Sequence, residues 1–167
     1  MRVSQMPRKR ESGFTLIEMM IVVAVFAIMA TVAIPTFISL LPGMRLNGSA
    51  RDIFVVMNQI RMRAVAKNTV GVIRFDTGNS WTAWVDDGLA GINYWYDSNT
   101  TPPDTLIKSG TTETGVTIST DIPSNTFAFN SRGLPAGTPS AYTVTLTNTE
   151  GDTRIVQVNA LGIIKIP

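Results

Sequence analysis

Apolar and polar positions divide this chain of 167 residues into two parts. Residues 14–41 hold 22 apolar side chains in 28 positions, and the 26 positions from Met19 to Met44 carry no charge. A helix of that length would reach about 39 Å, against roughly 30 Å for the hydrocarbon core of a bilayer. The pattern therefore predicts one membrane-spanning helix over residues 14–41.

Helical periodicity continues in the more polar part. Apolar residues recur there at spacings of three and four, which places them on one helical face: Ile53, Val56, Met57, Ile60 and Ala64. This spacing predicts an amphipathic helix from about Ser49 to Lys67. The simplest arrangement is a single interrupted helix from Phe14 to Lys67, whose second half packs on a sheet.

Basic residues are concentrated on this second helical half, with Asp52 as the only acid among them: Arg45, Arg51, Arg61, Arg63 and Lys67. We interpret these side chains as a solvated polar face. A surface for phosphates or acidic partners is the alternative.

Residues 68–167 have the pattern of antiparallel β-structure, because short alternating runs are separated by Gly, Pro, Asn and Asp. Residues 86–114 are interpreted as a long loop. The predicted strands are Val70–Phe75, Ser80–Val85, Val116–Ser119, Thr126–Asn130, Tyr142–Thr147, Thr153–Asn159 and a short Ile163–Ile166.

Hairpin turns are expected at residues 76–79 and 148–152, where Asp, Asn, Thr and Gly cluster. The two strands beside the second turn would share a buried face through alternating apolar side chains: Val144, Leu146, Val156 and Val158.

Composition excludes several classes of site. The chain contains neither Cys nor His, which rules out disulfide frameworks, iron–sulfur clusters, Cys and His zinc sites, thiol catalysis and Ser-His-Asp triads. No spacing among the carboxylates, serines and lysines assigns an acid, a base or a nucleophile. We therefore expect no enzymatic activity, no cofactor and no small-molecule substrate.

The net charge of +2 originates at the N-terminus. Residues 1–13 contain four basic residues and one acid, a balance of +3, which leaves ten basic and eleven acidic residues, or −1, on residues 14–167. Basic residues that precede an apolar helix hold that end of the chain in the cytoplasm. The charge therefore predicts topology rather than an anionic ligand.

Glu18 is an ionisable residue inside the apolar segment. A carboxylate in a membrane helix is costly and by default functional. No basic residue lies near Glu18 within the segment, so its expected partner is a backbone amine or a cation on another chain.

Residues 13–18 read Gly-Phe-Thr-Leu-Ile-Glu after the basic leader, which resembles the class III signal of type IV pilins and type II secretion pseudopilins. The resemblance implies that prepilin peptidase removes residues 1–13 by cutting between Gly13 and Phe14, and that Phe14 is then N-methylated. It also implies that Glu18 neutralises the N-terminal amine of a neighbouring subunit during filament assembly, since pairing would offset the burial of both charges.

Three later blocks, residues 81–87, 127–133 and 156–165, resemble the GspH/FimT family of minor pseudopilins and minor pilins. With the leader, the resemblance covers nearly the whole chain. It implies an α+β, pilin-like fold in which a long N-terminal helix lies on a pair of small antiparallel sheets, with residues 42–167 as a periplasmic globular domain. Pro35, where many pilins carry proline, is expected to kink the helix.

The end of the chain departs from the DNA-binding branch of that family. FimT members that bind DNA carry a closing Gly-Arg-x-Arg/Lys stretch, whereas residues 162–165 read Gly-Ile-Ile-Lys. Each lost phosphate contact removes about one unit of salt-dependent slope. The sequence therefore argues against nucleic-acid binding, and Arg132 and Lys165 are the residues that would contact DNA or a protein partner.

Acidic and aromatic clusters have simpler explanations than ligand binding. The carboxylates lack the D-x-[DN]-x-[DN]-G spacing of a calcium loop, so we interpret them as a solvated loop and expect no metal: Asp86, Asp87 and Asp97. Aromatic residues could stack on bases or sugars, but packing in the core or anchoring of the loop is the preferred interpretation: Trp81, Trp84, Tyr94, Trp95 and Tyr96.

The resemblance implies a minor pseudopilin of a type II secretion system, a single-pass inner-membrane protein that enters a periplasmic filament at or near its tip. The implied partners are prepilin peptidase, other pseudopilins or pilins contacted through the N-terminal helix, and the inner-membrane assembly platform. The alternative is a FimT-like minor pilin of a type IV pilus, which primes pilus assembly or binds DNA for uptake.

Overall fold

The computed structural model describes residues 13–76, 79–86, 104–136 and 141–167. Within these ranges, one long helix is followed by eight strands. The helix, α1, spans Leu16–Lys67. The strands are β1 (Gly71–Asp76), β2 (Ser80–Val85), β3 (Thr105–Thr111), β4 (Val116–Thr120), β5 (Thr126–Phe129), β6 (Tyr142–Asn148), β7 (Thr153–Val158) and β8 (Ile164–Lys165).

The chain divides into two compact units, Met1–Leu40 and Leu41–Pro167. In the first unit the large apolar side chains of α1 are exposed, and α1 is long and apolar enough to cross a membrane. The hydroxyls of Thr31, Thr36 and Ser39 donate to helix carbonyl oxygens, so these polar groups are satisfied without water. The helix is continuous through Pro35, and the kink expected there stays a prediction.

In the second unit the strands form two antiparallel sheets of four, in the orders β3-β2-β1-β5 and β4-β6-β7-β8. All seven predicted strands are confirmed, with ends that differ by at most one residue. The expected loop over residues 86–114 is wrong at Thr105–Thr111, which pairs with β2 as an edge strand. Sequence gave little sign of it, because Lys108, Ser109 and Gly110 have low strand propensity.

One hydrophobic core joins the helix to both sheets. The predicted helical stripe from Ile53 to Ala64 is fully buried, together with the shared face of β6 and β7. The core interpretation of Trp81 and Trp84 is confirmed, since both are buried, whereas Tyr94, Trp95 and Tyr96 lie outside the described residues. Helix and sheets therefore form the expected α+β arrangement within this unit.

Polar contacts connect the two sheets and the helix at their edges. The side-chain oxygen of Asn79 accepts from the Ile118 N–H over 3.1 Å, and the buried hydroxyl of Ser49 accepts from the Glu113 N–H over 3.0 Å. These bonds satisfy backbone groups where chain segments cross from one sheet to the other.

Candidate functional site

Glu18 is held against the start of its own helix. Its Oε2 accepts hydrogen bonds from the backbone N–H and from the hydroxyl of Thr15, each over 2.8 Å, and its own N–H donates to Thr15 Oγ1 over 3.3 Å. This reciprocal arrangement is a capping box, in which Thr15 is the N-cap and Glu18 the third residue of the helix. It satisfies donors that the first helical turn would otherwise leave unpaired.

The capping box gives Glu18 a role inside a single chain that the sequence analysis did not assign. The Thr-x-x-Glu pattern ahead of an apolar run was the available signal. The other carboxylate oxygen, Oε1, accepts no hydrogen bond from the residues that the structure describes. Gly13 and Phe14 precede the helix, and Phe14 is exposed.

Three turns in the globular unit repeat one pattern, Asn-x-x-Gly-x, at residues 130–134, 148–152 and 159–163. In each, the Asn Oδ1 accepts from the N–H groups of the third and fifth residues, and the Gly N–H donates to the Asn carbonyl oxygen. The fourth residue has φ of +74°, +89° and +73° in turn, a left-handed conformation that glycine adopts without strain. This repeat was not predicted from the sequence.

The first and third of these turns meet beside the helix. Gly133 and Gly162 are both buried, and a Cβ added to Gly162 would overlap the carbonyl oxygen of Gly133. The same oxygen accepts from Nε of Arg61 over 2.9 Å. Arg61 therefore fastens the end of the helix to the point where the two turns touch.

Both residues predicted to contact DNA or a partner lie close to this junction in the chain. Arg132 is exposed in the first turn, next to Gly133, and Lys165 is exposed in β8, three residues after Gly162. The structure thus brings the two segments together. Ile163, which stands where DNA-binding relatives carry arginine, is about half exposed.

The basic residues of the helix match the expected solvated face at four of five positions. Arg45, Arg51, Arg63 and Lys67 are exposed as expected, although Arg45 also donates to the Thr114 carbonyl oxygen over 3.5 Å and Lys67 to the Thr105 hydroxyl over 3.1 Å. Arg61 is half-buried, so the expectation is wrong for this residue. Arg61 is less exposed than the other basic residues because tertiary packing brings the Gly133 turn against it.

Asp86, one of the three acidic residues considered for calcium, is buried at the end of β2, which differs from the solvated loop that we expected. Asp87 and Asp97 lie outside the described residues. In the part of the chain that the structure covers, no group of three or more carboxylates could hold a metal ion.

Two family models match the sequence. The prokaryotic N-terminal methylation motif matches residues 8–34, and the type II transport protein GspH matches residues 49–162. No curated protein matches significantly. The first match contains Gly13, Phe14 and the capping box, and the second contains all three Asn-x-x-Gly-x turns except the last residue of the third.

Solved structures share the fold. The minor pseudopilin EpsH from the type 2 secretion system of Vibrio cholerae superposes with a TM-score of 0.55 and 13% identity, over 74% of this chain and 96% of that one. The type IV minor pilin FimU of Pseudomonas aeruginosa superposes with a TM-score of 0.54 and 14% identity, over 73% and 87%. The pilin-like fold class is confirmed.

Proposed function

Because this chain belongs to the family of the type II transport protein GspH, we propose that it is a minor pseudopilin of a type II secretion system. In this proposal prepilin peptidase removes residues 1–13 on the cytoplasmic face and Phe14 is N-methylated. The apolar helix then leaves the inner membrane and enters a periplasmic pseudopilus, with the globular unit at or near its tip. The subunit acts mechanically in protein export and is not an enzyme.

The N-terminal segment carries the proposal. A methylation motif, a charge-free apolar helix and a carboxylate at its first turn occur together at residues 8–34. A filament core of packed helices has no water for polar ends, so an amine and a carboxylate buried there must pair. Oε1 of Glu18 accepts nothing from the described residues of its own chain and is available to the N-terminal amine of a neighbouring subunit.

A chromosomal deletion tests which machine contains the subunit. We expect the deletion strain to lose export of type II substrates into the medium, and plasmid-borne wild-type protein to restore it. Normal export together with lost pili or lost transformation would assign the chain to a type IV pilus instead. The inner-membrane assembly platform would be its partner in either case.

A FimT-like minor pilin that binds DNA or primes pilus assembly is the second candidate. The observation that favours it is the exposed Arg132, which precedes the Gly133 whose carbonyl oxygen binds Arg61. Retardation of duplex DNA by the full chain in detergent, weakened by salt and by Arg132→Ala, would support it. Absence of retardation at low salt would rule out DNA binding, which is the result that Ile163 predicts, because it is exposed where DNA-binding relatives carry arginine.

A further inference from the structure

The Arg61 guanidinium is held in place by one hydrogen bond, and its remaining N–H donors have no partner among the described residues. Its Nε–H group donates to the Gly133 carbonyl oxygen, which fixes the plane of the guanidinium. Among the residues that the structure describes, Arg61 makes no other hydrogen bond and no ion pair. The N–H donors on its η nitrogens therefore remain for a ligand, in the fork geometry that suits a carboxylate.

The backbone around this guanidinium is closely packed and hydrogen-bonded. A Cβ at Gly133 would lie 3.1 Å from Nε of Arg61 and 3.1 Å from a methyl carbon of Val65, and a Cβ at Gly162 would lie 3.5 Å from the same Nε. Both turns are held by their Asn side chains. A donor held by such a scaffold loses little conformational freedom when it binds a partner.

The positive charge here is not balanced by the described part of the chain. Arg132 is exposed on the turn that accepts from Arg61. The ion pairs found among described residues lie elsewhere, between Arg74 and Asp76 and between Lys108 and Asp52. A carboxylate supplied by another molecule would be attracted without displacing an existing pair.

Exposed apolar side chains lie on the segments that meet at the guanidinium. Arg61, Met62 and Val65 line one shallow depression on the helix, and Leu161 precedes the buried Gly162. Met62, Val65 and Leu161 are 63%, 50% and 66% exposed. We call Arg61, Met62, Val65, Arg132 and Leu161 the Arg61 surface.

We infer that the Arg61 surface binds a segment of a neighbouring pilin-like subunit that presents a carboxylate beside apolar side chains, an inference that rests on the proposed function. Exposed apolar residues next to a half-buried arginine are typical of the core of a protein–protein interface. A nucleic-acid backbone would offer phosphates to Arg61 but nothing to Met62, Val65 and Leu161. Charge complementarity and apolar contact together favour a protein segment.

Pairwise binding tests this inference with defined probes. The probes are the other proteins of the same cell that carry a Gly-Phe leader and a Glu at the corresponding position, each purified at full length in detergent. We expect one of them to bind the full chain. Arg61→Gln should weaken that binding about tenfold or more, because it removes a charge-assisted pair, and Arg61→Lys should be intermediate because it lacks the fork.

Arg51→Gln is the matched control, since Arg51 is exposed on the same helix, and it should change affinity by less than about twofold. Because Arg61→Gln also removes the bond to Gly133, Leu161→Glu provides a second variant at an exposed position that should fold normally. It should weaken binding by placing a like charge beside the partner carboxylate. A charge reversal on the partner that restores binding to Arg61→Glu would identify the paired residue.

Three results would overturn the inference. In the first, no such subunit binds the wild-type chain. In the second, the variants Arg61→Gln and Leu161→Glu bind the subunit as tightly as the control Arg51→Gln does. In the third, Arg61→Gln lowers affinity only for a short DNA duplex or for anionic lipid vesicles. The measurement does not depend on export. A deletion strain that still exports its substrates would instead count against the proposed function, so the two failures are distinguishable.

Discussion

Thr15 and Glu18 hold each other at the first turn of the helix, with the Glu18 carboxylate accepting both the N–H and the hydroxyl of Thr15. Within a single chain, one carboxylate oxygen of Glu18 therefore already accepts hydrogen bonds. In the proposed filament, the N-terminal amine of a neighbouring subunit would pair with the second oxygen. The capping box holds the carboxylate at the N–H of Thr15, one residue after the proposed new N-terminus at Phe14.

Thr15→Val should loosen the first helical turn, because it removes the hydroxyl that both donates to and accepts from Glu18. Loss of an N-cap costs about 1 kcal/mol, or roughly fivefold in a local opening equilibrium. Amide hydrogen exchange at Glu18 and Met19, whose N–H groups bond to Thr15, should be faster by about that factor in the full chain in detergent. Thr15→Ser, which keeps the hydroxyl, should exchange like the wild type, and equal rates in all three proteins would argue against the cap.

Glu18→Ala should leave the leader cleaved but prevent assembly, because the N-terminal amine of the neighbouring subunit would be buried without a counter-charge. The check is the amount of chain in filaments released from the periplasm by removal of the outer membrane, relative to the amount in the inner-membrane fraction. Glu150→Ala, which removes an exposed carboxylate in the second Asn-x-x-Gly-x turn, is the control and should assemble normally. Normal assembly of Glu18→Ala would contradict the role given to this carboxylate.

Gly13→Leu should leave residues 1–13 attached, since the bulky side chain stands at the proposed cut. Intact mass of the protein from the membrane fraction distinguishes the retained leader from the processed chain. Met44→Leu, a substitution far along the helix at an exposed position, should be processed like the wild type. Full processing of Gly13→Leu would place the cut elsewhere.

Gly162→Ala should destabilise the globular unit more than Gly151→Ala. Both positions have positive φ, which costs a side chain about 1–2 kcal/mol. Only at Gly162 would the new carbon also meet the Gly133 carbonyl oxygen, whereas nothing lies within 4 Å at Gly151. The loss at Gly162 should therefore reach about 3–5 kcal/mol, measured as a difference between the two variants in denaturant unfolding in detergent. Equal losses would show that the two turns do not pack as described.

The sequence predicted those helices and strands that are determined by the hydrophobic pattern of their own residues. Hydrophobic spacing predicted the helix from Ser49 to Lys67 and alternation predicted seven strands, because burial acts on each segment's own pattern. β3 was missed because its pairing partner β2, rather than its own composition, makes it a strand. Arg61 was interpreted as solvated because the carbonyl it binds lies 72 residues later in the chain.

The N-terminal part of the candidate site could be predicted from the sequence for the same reason. The segment from Gly13 to Glu18 is contiguous, so its pattern could be recognised directly. The turn at residues 148–152 was expected as a hairpin, but the Asn-x-x-Gly-x pattern that it shares with two other turns was not recognised, because the variable positions differ and only the hydrogen bonds make the three alike. The meeting of Gly133 with Gly162 depends on how two sheets pack, and no local pattern encodes it.

The most direct test of the account is the N-terminus of the chain recovered from filaments released from the periplasm. Peptide mass spectrometry should find a first residue Phe14 that carries one methyl group, in a fraction that also contains the other pilin-like subunits. A chain that retains residues 1–13, or that is absent from the filament fraction while present in the membrane, would contradict the assignment as a processed filament subunit.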